Sequence, residues 1–308
     1  VFLFCLFLGC RLGAMPYLAT TSLLWAFSFG LIGSELEGVD SFFVATLRLC
    51  CATLLFLPFL RTKAIRKKDC EKLMVYGAIQ FGLMYSFYMK AFQYLPSHLV
   101  ALFSILTPVY VVLIHDIRQR KFSTTFFIAA IISVLGAACL RAKTVSIGDF
   151  WIGFGLMQLA GVSFAYGQVA YRNWKRQNQT VKDREVFSLL AAGGALTALQ
   201  FSLVSTEWSD LQINLSQWGS ILYLGFVASG LGFFLWNKGA SLSNPGTLAA
   251  FNNAVVPLAV LVSLFVFKEI EDMTISMMVR LAIGSGLIIV AVLFCRRGTK
   301  GRFASLLR

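Results

Sequence analysis

Ten long apolar stretches constrain this chain more than any other feature of its sequence. Each is about 20 residues long, the length that a helix needs to cross a hydrocarbon core of roughly 30 Å. Transmembrane barrels have strands of about ten residues that alternate in polarity, and these continuous runs do not alternate. The pattern predicts an all-α integral membrane protein with ten transmembrane helices. The predicted spans are residues 16–34, 41–60, 73–95, 97–115, 124–140, 148–171, 186–206, 217–237, 245–267 and 275–295.

The composition excludes an ordinary water-soluble protein. Of the 308 residues, 58% are hydrophobic and only 13% are charged, which is too little charge for the polar shell of a globule of this size. The seven cysteines lack the spacing of a zinc site, and with two histidines a catalytic triad or an intramembrane metalloprotease is unsupported. The sequence therefore predicts neither an enzyme nor a bound cofactor or metal.

The basic residues indicate how the chain is oriented. Of the 27 Lys and Arg residues, 21 fall in connections on one side of the predicted spans and three on the other. Because cytoplasmic loops retain basic residues, both termini are predicted to face the cytoplasm, in a multi-pass protein of the bacterial inner (plasma) membrane. This distribution accounts for the net charge of +13 without nucleic acid as a partner. Membrane lipid is an expected partner, and the oligomeric state stays open, a monomer being compatible with the sequence.

An internal repeat relates the two halves of the chain. Three residues recur after 148 positions and two prolines after 149, which a one-residue change in a loop reconciles. The matched pairs are Gly77 with Gly225, Gly82 with Gly230, Lys90 with Lys238, Pro96 with Pro245 and Pro108 with Pro257. Each copy contains five spans, so the second copy must enter the membrane from the opposite side. The sequence predicts two inverted five-helix repeats, a common architecture of secondary transporters that work by alternating access.

The repeat also divides the chain into segments. The first repeat covers residues 15–143 (helices 1–5), and the second covers residues 144–298 (helices 6–10). Residues 1–14 form an N-terminal extension of doubtful significance, because no positive charge precedes their apolar stretch as it would in a signal peptide. Residues 299–308 are predicted to form a basic cytoplasmic tail.

Several diffuse motifs follow the same division. They are the string LWAFSF at residues 24–29, Arg48 in the second helix, Ala/Ser-rich helices that reach Pro108 and Pro257, and Lys268-Glu269 after the ninth span. Together they resemble the EamA-like family of the drug/metabolite transporter superfamily over about residues 15–298. The resemblance implies transport of amino acids and related metabolites, including S-adenosylmethionine, through a pocket where helices 1, 3, 4, 6, 8 and 9 converge. The first repeat departs from the pattern at Arg120, where an acid equivalent to Glu269 is missing.

Aromatic and amide side chains at membrane depth are candidates for substrate binding. The resemblance implies that such groups line the pocket, although most aromatic residues in a chain of this kind pack against helices or lipid. Adjacent Asn252 and Asn253 diverge by about 100° on a helix, so we expect one to face the cavity and the other a packed helix. These candidates are Trp25, Tyr85, Tyr88, Phe103, Tyr166, Trp236, Asn237, Asn252 and Asn253.

Three basic residues within or beside the spans are further binding candidates. A Lys or Arg at the bilayer centre costs roughly 2.5–3.5 kcal/mol on insertion scales. Arg48 lies about eight residues inside its span, where it either has a role in the protein interior or pairs with helix-end carbonyls. Inversion would place Lys90 and Lys238 near opposite gates, where each ammonium meets a substrate carboxylate, unless each snorkels to its own headgroup region.

The two repeated prolines within helices, Pro108 and Pro257, are candidate hinges. Each removes a backbone hydrogen bond from its helix and allows a bend, and a static kink is the alternative.

The charge pattern narrows the function. All fourteen acidic residues lie in loops or at helix ends, which argues against proton exchange through an embedded carboxylate. The sequence favours a secondary transporter that moves a small amino-acid-like metabolite across the inner membrane, such as an amino acid, a derivative or an S-adenosylmethionine-type compound. A nontransporting membrane sensor or scaffold, and a lipid flippase, are the alternatives.

Overall fold

The computed structural model describes residues 13–36, 38–95, 100, 103–120, 122, 124–139, 150–262, 266 and 275–306. All regular structure within these ranges is helical, which confirms the all-α prediction for them. The α-helices are α1 (Ala14–Glu35), α2 (Ser41–Phe56), α3 (Lys67–Gly77), α4 (Met84–Ala91), α5 (Thr107–Gln119), α6 (Thr124–Cys139), α7 (Phe150–Gln177), α8 (Phe187–Ser205), α9 (Leu215–Tyr223), α10 (Gly232–Leu242), α11 (Pro245–Val262) and α12 (Ile275–Leu306). Short 3-10 turns lie at Leu57–Phe59, Thr62–Ala64, Ser104–Leu106, Asp183–Glu185 and Trp208–Asp210. Residues 1–12, Pro96, Lys268 and Glu269 lie outside the described residues.

The helices overlap every predicted span wherever the structure describes the chain. Four helical segments are long and apolar enough to cross a membrane, and two shorter apolar helices accompany them. The long segments are Ala14–Ile32, Ser41–Phe59, Phe187–Ser205 and Leu215–Leu242, and the shorter ones are Thr124–Gly136 and Met278–Ala291. These helices are those of an integral membrane protein, while the number of ten crossings and the inversion of the second half stay predictions.

Two helices widen into π-helical segments at matching positions. The first π segment, Ala78–Leu83, joins α3 to α4, and the second, Leu224–Leu231, joins α9 to α10. Both end at a leucine, and the two leucines are separated by the same 148 positions as the repeat. Interrupted helices of this kind recur at functional sites because their side chains leave the regular α-helical register.

The glycines of the repeat allow close helix crossings at these segments. A Cβ at Gly77 would collide with the backbone of Leu190 on α8. A Cβ at Gly225 would lie 2.7 Å from the Cβ of Cys51 and 3.4 Å from the Cα of Arg48, both on α2. These contacts explain why small residues recur here, as they do where membrane helices approach closely.

The contacts between the two halves are reciprocal. The first π segment packs on α8 of the second half, and the second π segment packs on α2 of the first. Helix α1 packs on α10 and α11, and correspondingly α7 packs on α4 and α5. Helix α6 packs on α12. Each of these contacts thus has a counterpart with the halves exchanged, which favours the predicted duplication, whereas the packing of α6 on α11 has no comparable counterpart between α5 and α12 among the described residues.

Candidate functional site

A cavity of about 900 Å³, including its open mouth, lies between the two halves of the protein. Side chains of seven helices border it: α1, α2, α4, α5, α7, α10 and α11. Six of these helices correspond to the predicted spans 1, 3, 4, 6, 8 and 9, which the family resemblance implies. The seventh, α2, corresponds to the second predicted span. Of the sequence candidates, Trp25, Arg48, Tyr85, Tyr88 and Asn252 line it.

The cavity wall is mainly aromatic and apolar. Aromatic rings come from both halves, including Phe164 and Phe233, which pack edge-on against Trp25 at centroid distances of 5.7 Å and 5.4 Å. Met84 and Met157 add polarisable sulfur atoms. Three short hydroxyl side chains, one amide and one guanidinium supply the polar groups, and none of the lining side chains is acidic. The polar lining residues other than tyrosine and tryptophan are Ser28, Arg48, Ser104, Thr107 and Asn252.

Arg48 is the one cation that lines this cavity within the described residues. Its side chain is almost fully buried, at 2% exposure, and its Nε donates to the Ser229 hydroxyl at 3.1 Å. Its guanidinium carbon lies 4.6 Å from the ring centroid of Tyr85, whose hydroxyl shares Ser229 at 3.1 Å. Among the described residues, Nη1 has no hydrogen-bond partner and no ion pair includes Arg48. A buried charge without a counter-ion is costly, so this site is electrostatically ready for an anion.

The local fold explains how Arg48 obtains this environment. Gly225 lacks a side chain, so the second π segment approaches the α2 backbone closely and brings Ser229 to the guanidinium. Sequence reasoning missed Ser229, although it lies between the repeated Gly225 and Gly230. That glycine pair was the signal that a short polar residue between them faces a neighbouring helix.

Asn252 reaches the cavity from α11 and is held by two acceptors. Its Nδ2 donates to the Leu248 carbonyl at 2.8 Å, one turn earlier, and to the Gln168 Oε1 at 3.4 Å. The same Gln168 oxygen accepts from the Trp236 Nε1 at 3.0 Å. Gln168 and Trp236 are both fully buried and lie behind the cavity wall. Trp236 therefore supports the site from behind, and Gln168 was not among the sequence candidates.

Asn253 points to a neighbouring helix, as the angular spacing of adjacent residues predicts for one of the pair. Its Nδ2 donates to the Ile105 carbonyl at 3.1 Å, in the 3-10 turn before α5. Pro108 lies three residues beyond Ile105 and has no N–H, so it cannot donate to that carbonyl. The amide of Asn253 thus donates a hydrogen bond from a neighbouring helix to the turn that precedes Pro108.

The two candidate hinges occupy different settings. Pro108 lies at the start of α5, directly after the 3-10 turn Ser104–Leu106. Pro257 lies inside the α-helical stretch of α11. Both prolines are buried. The backbone irregularity is therefore concentrated at the first proline.

Asn237 forms a buried amide pair behind the cavity. The Gln80 Nε2 donates to its Oδ1 at 2.7 Å, and its Nδ2 donates back to the Gln80 Oε1 at 3.4 Å. Gln80 belongs to the first π segment and Asn237 to α10, so the pair joins the two halves. Both side chains are buried, and neither lines the cavity.

The two candidate lysines lie away from the cavity. The Lys90 Nζ lies 5.9 Å from the ring centroid of Phe42, and the Lys238 Nζ lies 5.3 Å from that of Tyr17. Both lysines are half-buried. Such positions over aromatic faces stabilise an ammonium without a carboxylate partner.

The two remaining aromatic candidates also lie outside the cavity lining. The Tyr166 ring lies under the Arg118 guanidinium, at 5.5 Å from centroid to Cζ. The Phe103 ring packs edge-on against Phe154 at 5.0 Å. Both side chains are half-buried and contribute to packing between α7 and its neighbours.

A second, acidic cavity adjoins the first. It encloses about 1800 Å³ including open space, and three of its lining residues are Asp40, Glu207 and Asp210. Ile32 lines both cavities. Asp40 accepts hydrogen bonds from the Phe43 N–H at 2.8 Å and from the Thr206 hydroxyl at 2.6 Å, which ties the start of α2 to the end of α8. We call this second cavity the acidic vestibule.

No group of three His, Cys, Asp or Glu side chains in the described part of the chain is arranged to hold a metal ion. Apolar helices around a central cavity that contains a buried cation are typical of a membrane transport protein.

Comparisons with known proteins identify the family. The model of the EamA-like transporter family matches residues 12–142. A probable biotin transporter of Pseudomonas aeruginosa is 39% identical over 285 residues, which cover 92% of this chain and 97% of that protein. Biotin transporters of Salmonella typhimurium and Escherichia coli K12 are 38% and 37% identical, and each match covers 83% of this chain and 85% of the relative. The chain belongs to the EamA-like transporter family, which confirms the resemblance.

A solved structure supports the fold independently. A crystal structure of a protein that is 20% identical in sequence superposes with a TM-score of 0.72. The match covers 92% of this chain and 96% of the other chain. The family and its named relatives are described as transporters. The protein is thus a multi-pass membrane transporter for a small metabolite.

Proposed function

We propose that this protein is a secondary transporter that moves a small monocarboxylate by alternating access, with biotin as the substrate that is supported best. The observation that carries this proposal is Arg48, a buried cation with an unpaired nitrogen that lines an aromatic cavity. Relatives that match nearly the whole chain are named biotin transporters. Their names and the chemistry of the cavity point to the same compound.

Biotin matches the cavity group by group. It carries one carboxylate, which pairs with a guanidinium through charge-assisted hydrogen bonds. An apolar chain connects the carboxylate to a thioether ring, and methionine and aromatic side chains such as Met84 and Phe233 suit both parts. A neutral cyclic urea forms the far end of the molecule and needs a few hydrogen-bonding groups, which the lining hydroxyls and Asn252 supply.

A free amino acid fits this cavity less well than the sequence alone indicated. Its ammonium group needs an acidic side chain or several carbonyl oxygens to replace its hydration. None of the side chains that line the cavity is acidic, and the cation Arg48 would repel a second positive charge. The acids of the acidic vestibule lie outside this lining. The cavity therefore favours an anion without an ammonium group over a zwitterion.

Two features support alternating access: the main cavity adjoins the acidic vestibule on one side, and aromatic side chains pack together on its other side. The main cavity meets the acidic vestibule at Ile32, among loops that the basic residues predict to be external. At its other end, Phe233 stacks on Phe81 at 4.3 Å and Trp25 packs on Trp236 at 4.9 Å. This arrangement corresponds to an outward-open conformer with a closed inner side. The reciprocal packing of the halves offers an inward-open counterpart in which the two copies exchange roles.

The location follows the same reasoning. We place the protein in the bacterial inner membrane with both termini in the cytoplasm, because the basic residues concentrate in the connections on that side. In this orientation the acidic vestibule faces outward. An exchange of conformation between the irregular turn before Pro108 and the helical stretch around Pro257 would supply the hinge motions.

Flux measurements on the reconstituted protein test the proposal. Liposomes containing the protein are incubated with radiolabelled biotin, a panel of radiolabelled amino acids or radiolabelled S-adenosylmethionine, in separate experiments. We expect saturable biotin uptake that excess unlabelled biotin abolishes and that Arg48→Gln reduces strongly. Lys90→Gln is a matched control, since it removes a cation that lies outside the cavity.

The alternatives predict other results. A sensor or scaffold would bind a ligand without saturable flux, and a flippase would move labelled lipid between leaflets instead. Uptake of an amino acid without uptake of biotin would retain the transporter and overturn the substrate. Biotin uptake equal to that of empty liposomes would contradict the proposal.

A further inference from the structure

The Asn252 amide faces the cavity in an orientation that the protein itself determines. We propose that its Oδ1 accepts a hydrogen bond from an N–H group of the substrate and thereby determines specificity. Gln168 and Trp236 are positioning residues that hold this orientation. The inference rests on the proposed function. It adds that the substrate carries, at a distance from its carboxylate, a neutral group with an N–H, such as a cyclic urea.

Both hydrogens of the Asn252 amide are directed at protein acceptors. The Leu248 carbonyl can only accept, so the amide nitrogen must face it, at 2.8 Å. The second hydrogen is directed at the Gln168 Oε1, at 3.4 Å. The remaining polar atom of this cavity-lining side chain is Oδ1, which can only accept a hydrogen bond.

Trp236 in turn fixes the orientation of the Gln168 side-chain amide. Its indole nitrogen can only donate, and it lies 3.0 Å from the Gln168 Oε1. A flipped Gln168 would place its NH₂ group against both the indole N–H and the Asn252 NH₂ group. Gln168 instead leaves its own buried Nε2 without a hydrogen-bond partner among the described residues. The orientation is therefore imposed by Trp236 and retained despite an unsatisfied donor.

The cavity consequently has two polar ends of opposite character. Arg48 offers a donor on α2 and Asn252 offers an acceptor on α11. Ser28 also lines the cavity, but its hydroxyl hydrogen is donated to the Leu24 carbonyl of its own helix at 2.8 Å. An acceptor at the Asn252 end favours a substrate N–H and disfavours a bare carbonyl or ether oxygen. The substrate class is a carboxylate joined by an apolar linker to a ureido or amide N–H.

A comparison of biotin with an N-methylated biotin tests this inference. Binding of each compound to the purified protein in lipid nanodiscs is measured by competition with radiolabelled biotin. We expect the unmodified protein to bind biotin about 10-fold tighter than the N-methylated compound, the effect of one buried hydrogen bond. Asn252→Leu has a similar volume without the acceptor, and it should weaken biotin binding about 10-fold while leaving the N-methylated compound nearly unaffected.

Variants of Gln168 separate positioning from a merely structural role. Gln168→Met removes one of the two acceptors that hold the Asn252 amide, so discrimination between the two compounds should fall by several-fold. Gln168→Glu in its protonated form keeps the acceptor oxygen and should restore that discrimination. A purely structural role would lower the melting temperature of Gln168→Met without changing discrimination. Gln158→Met is the matched control, a glutamine on the same helix but outside the cavity lining, and it should leave the discrimination unchanged.

The outcomes distinguish this inference from the proposed function. Failure of the unmodified protein to bind biotin would overturn both. Biotin binding by Asn252→Leu with the discrimination of the unmodified protein would overturn this inference alone, because the preference would then come from steric exclusion of the methyl group. Each variant is checked for a monodisperse elution profile, and Asn252→Ala replaces Asn252→Leu if the latter does not fold.

Discussion

Two buried arginines occupy two different regions of the molecule. Arg48 borders the central cavity, whereas Arg172 lies near the end of α7 and does not line that cavity. Their exposures are nearly equal, at 2% and 1%, and each donates from Nε to one neutral acceptor. The acceptor is the Ser229 hydroxyl at 3.1 Å for Arg48 and the Ser243 carbonyl at 2.9 Å for Arg172.

Both arginines leave Nη1 without a hydrogen-bond partner among the described residues, so the difference between them lies in what else borders the guanidinium. Ser243 follows the last residue of α10, so Arg172 donates to a carbonyl at a helix C-terminus, where the helix dipole favours a cation. Arg48 borders a space that a small anion can enter. Burial alone therefore does not identify a binding residue; the decisive feature is access from a cavity to an unsatisfied donor.

Replacement of Arg48 should produce the largest effect on binding. Arg48→Gln removes the charge that pairs with the substrate carboxylate, and biotin affinity should fall about 30- to 100-fold, as for loss of a buried charge pair. The same change removes an unpaired buried charge from the free protein, so its melting temperature should stay constant or rise. Equilibrium binding and thermal melting in nanodiscs measure the two effects. A loss of stability with unchanged affinity would assign Arg48 to structure.

Replacement of Arg172 should produce the opposite pattern. Arg172→Gln removes the contact with the end of α10, which costs about 1–2 kcal/mol of stability for a buried helix-terminus interaction. Biotin affinity should stay within about twofold, since Arg172 does not line the cavity. Melting curves and binding isotherms of the same preparation provide the test. A large loss of affinity at constant stability would remove the distinction between the two arginines.

Replacement of the two lysines should produce the smallest effect. Lys90 and Lys238 lie over aromatic rings outside the cavity, and such contacts contribute about 0.5–1 kcal/mol at exposed sites. Lys90→Gln and Lys238→Gln should therefore change the KM of biotin transport by less than about threefold. Proteoliposome uptake at several substrate concentrations measures this. An effect as large as that of Arg48→Gln would favour the sequence-based hypothesis of two lysine gates.

Sequence reasoning located the helices and much of the cavity wall because both depend on local signals. Apolar length predicts a helix of the right extent, and the family resemblance implied aromatic residues such as Trp25 and Tyr85 at the pocket. The angular divergence of adjacent residues predicted that Asn252 and Asn253 face different surroundings. Each of these inferences uses information that lies within one helix or one motif.

The π segments limit how far such reasoning reaches. Their wider turns shift the angular position of every later residue on the same helix, so an α-helical period no longer predicts where Lys90 or Lys238 points. Ser229 lies inside such a segment, and Gln168 is one of several polar residues in α7. Their importance arises from contacts across the two halves, which a linear pattern does not encode.

The most direct test of the central claim compares biotin with its methyl ester, which keeps the ring and the chain, adds one methyl group and has no negative charge. We predict that the unmodified protein binds biotin about 30-fold or more tightly than the ester, and that Arg48→Gln binds the two compounds almost equally. If Arg48→Gln retains the full preference for the acid, the carboxylate binds elsewhere and the account of the cavity is wrong.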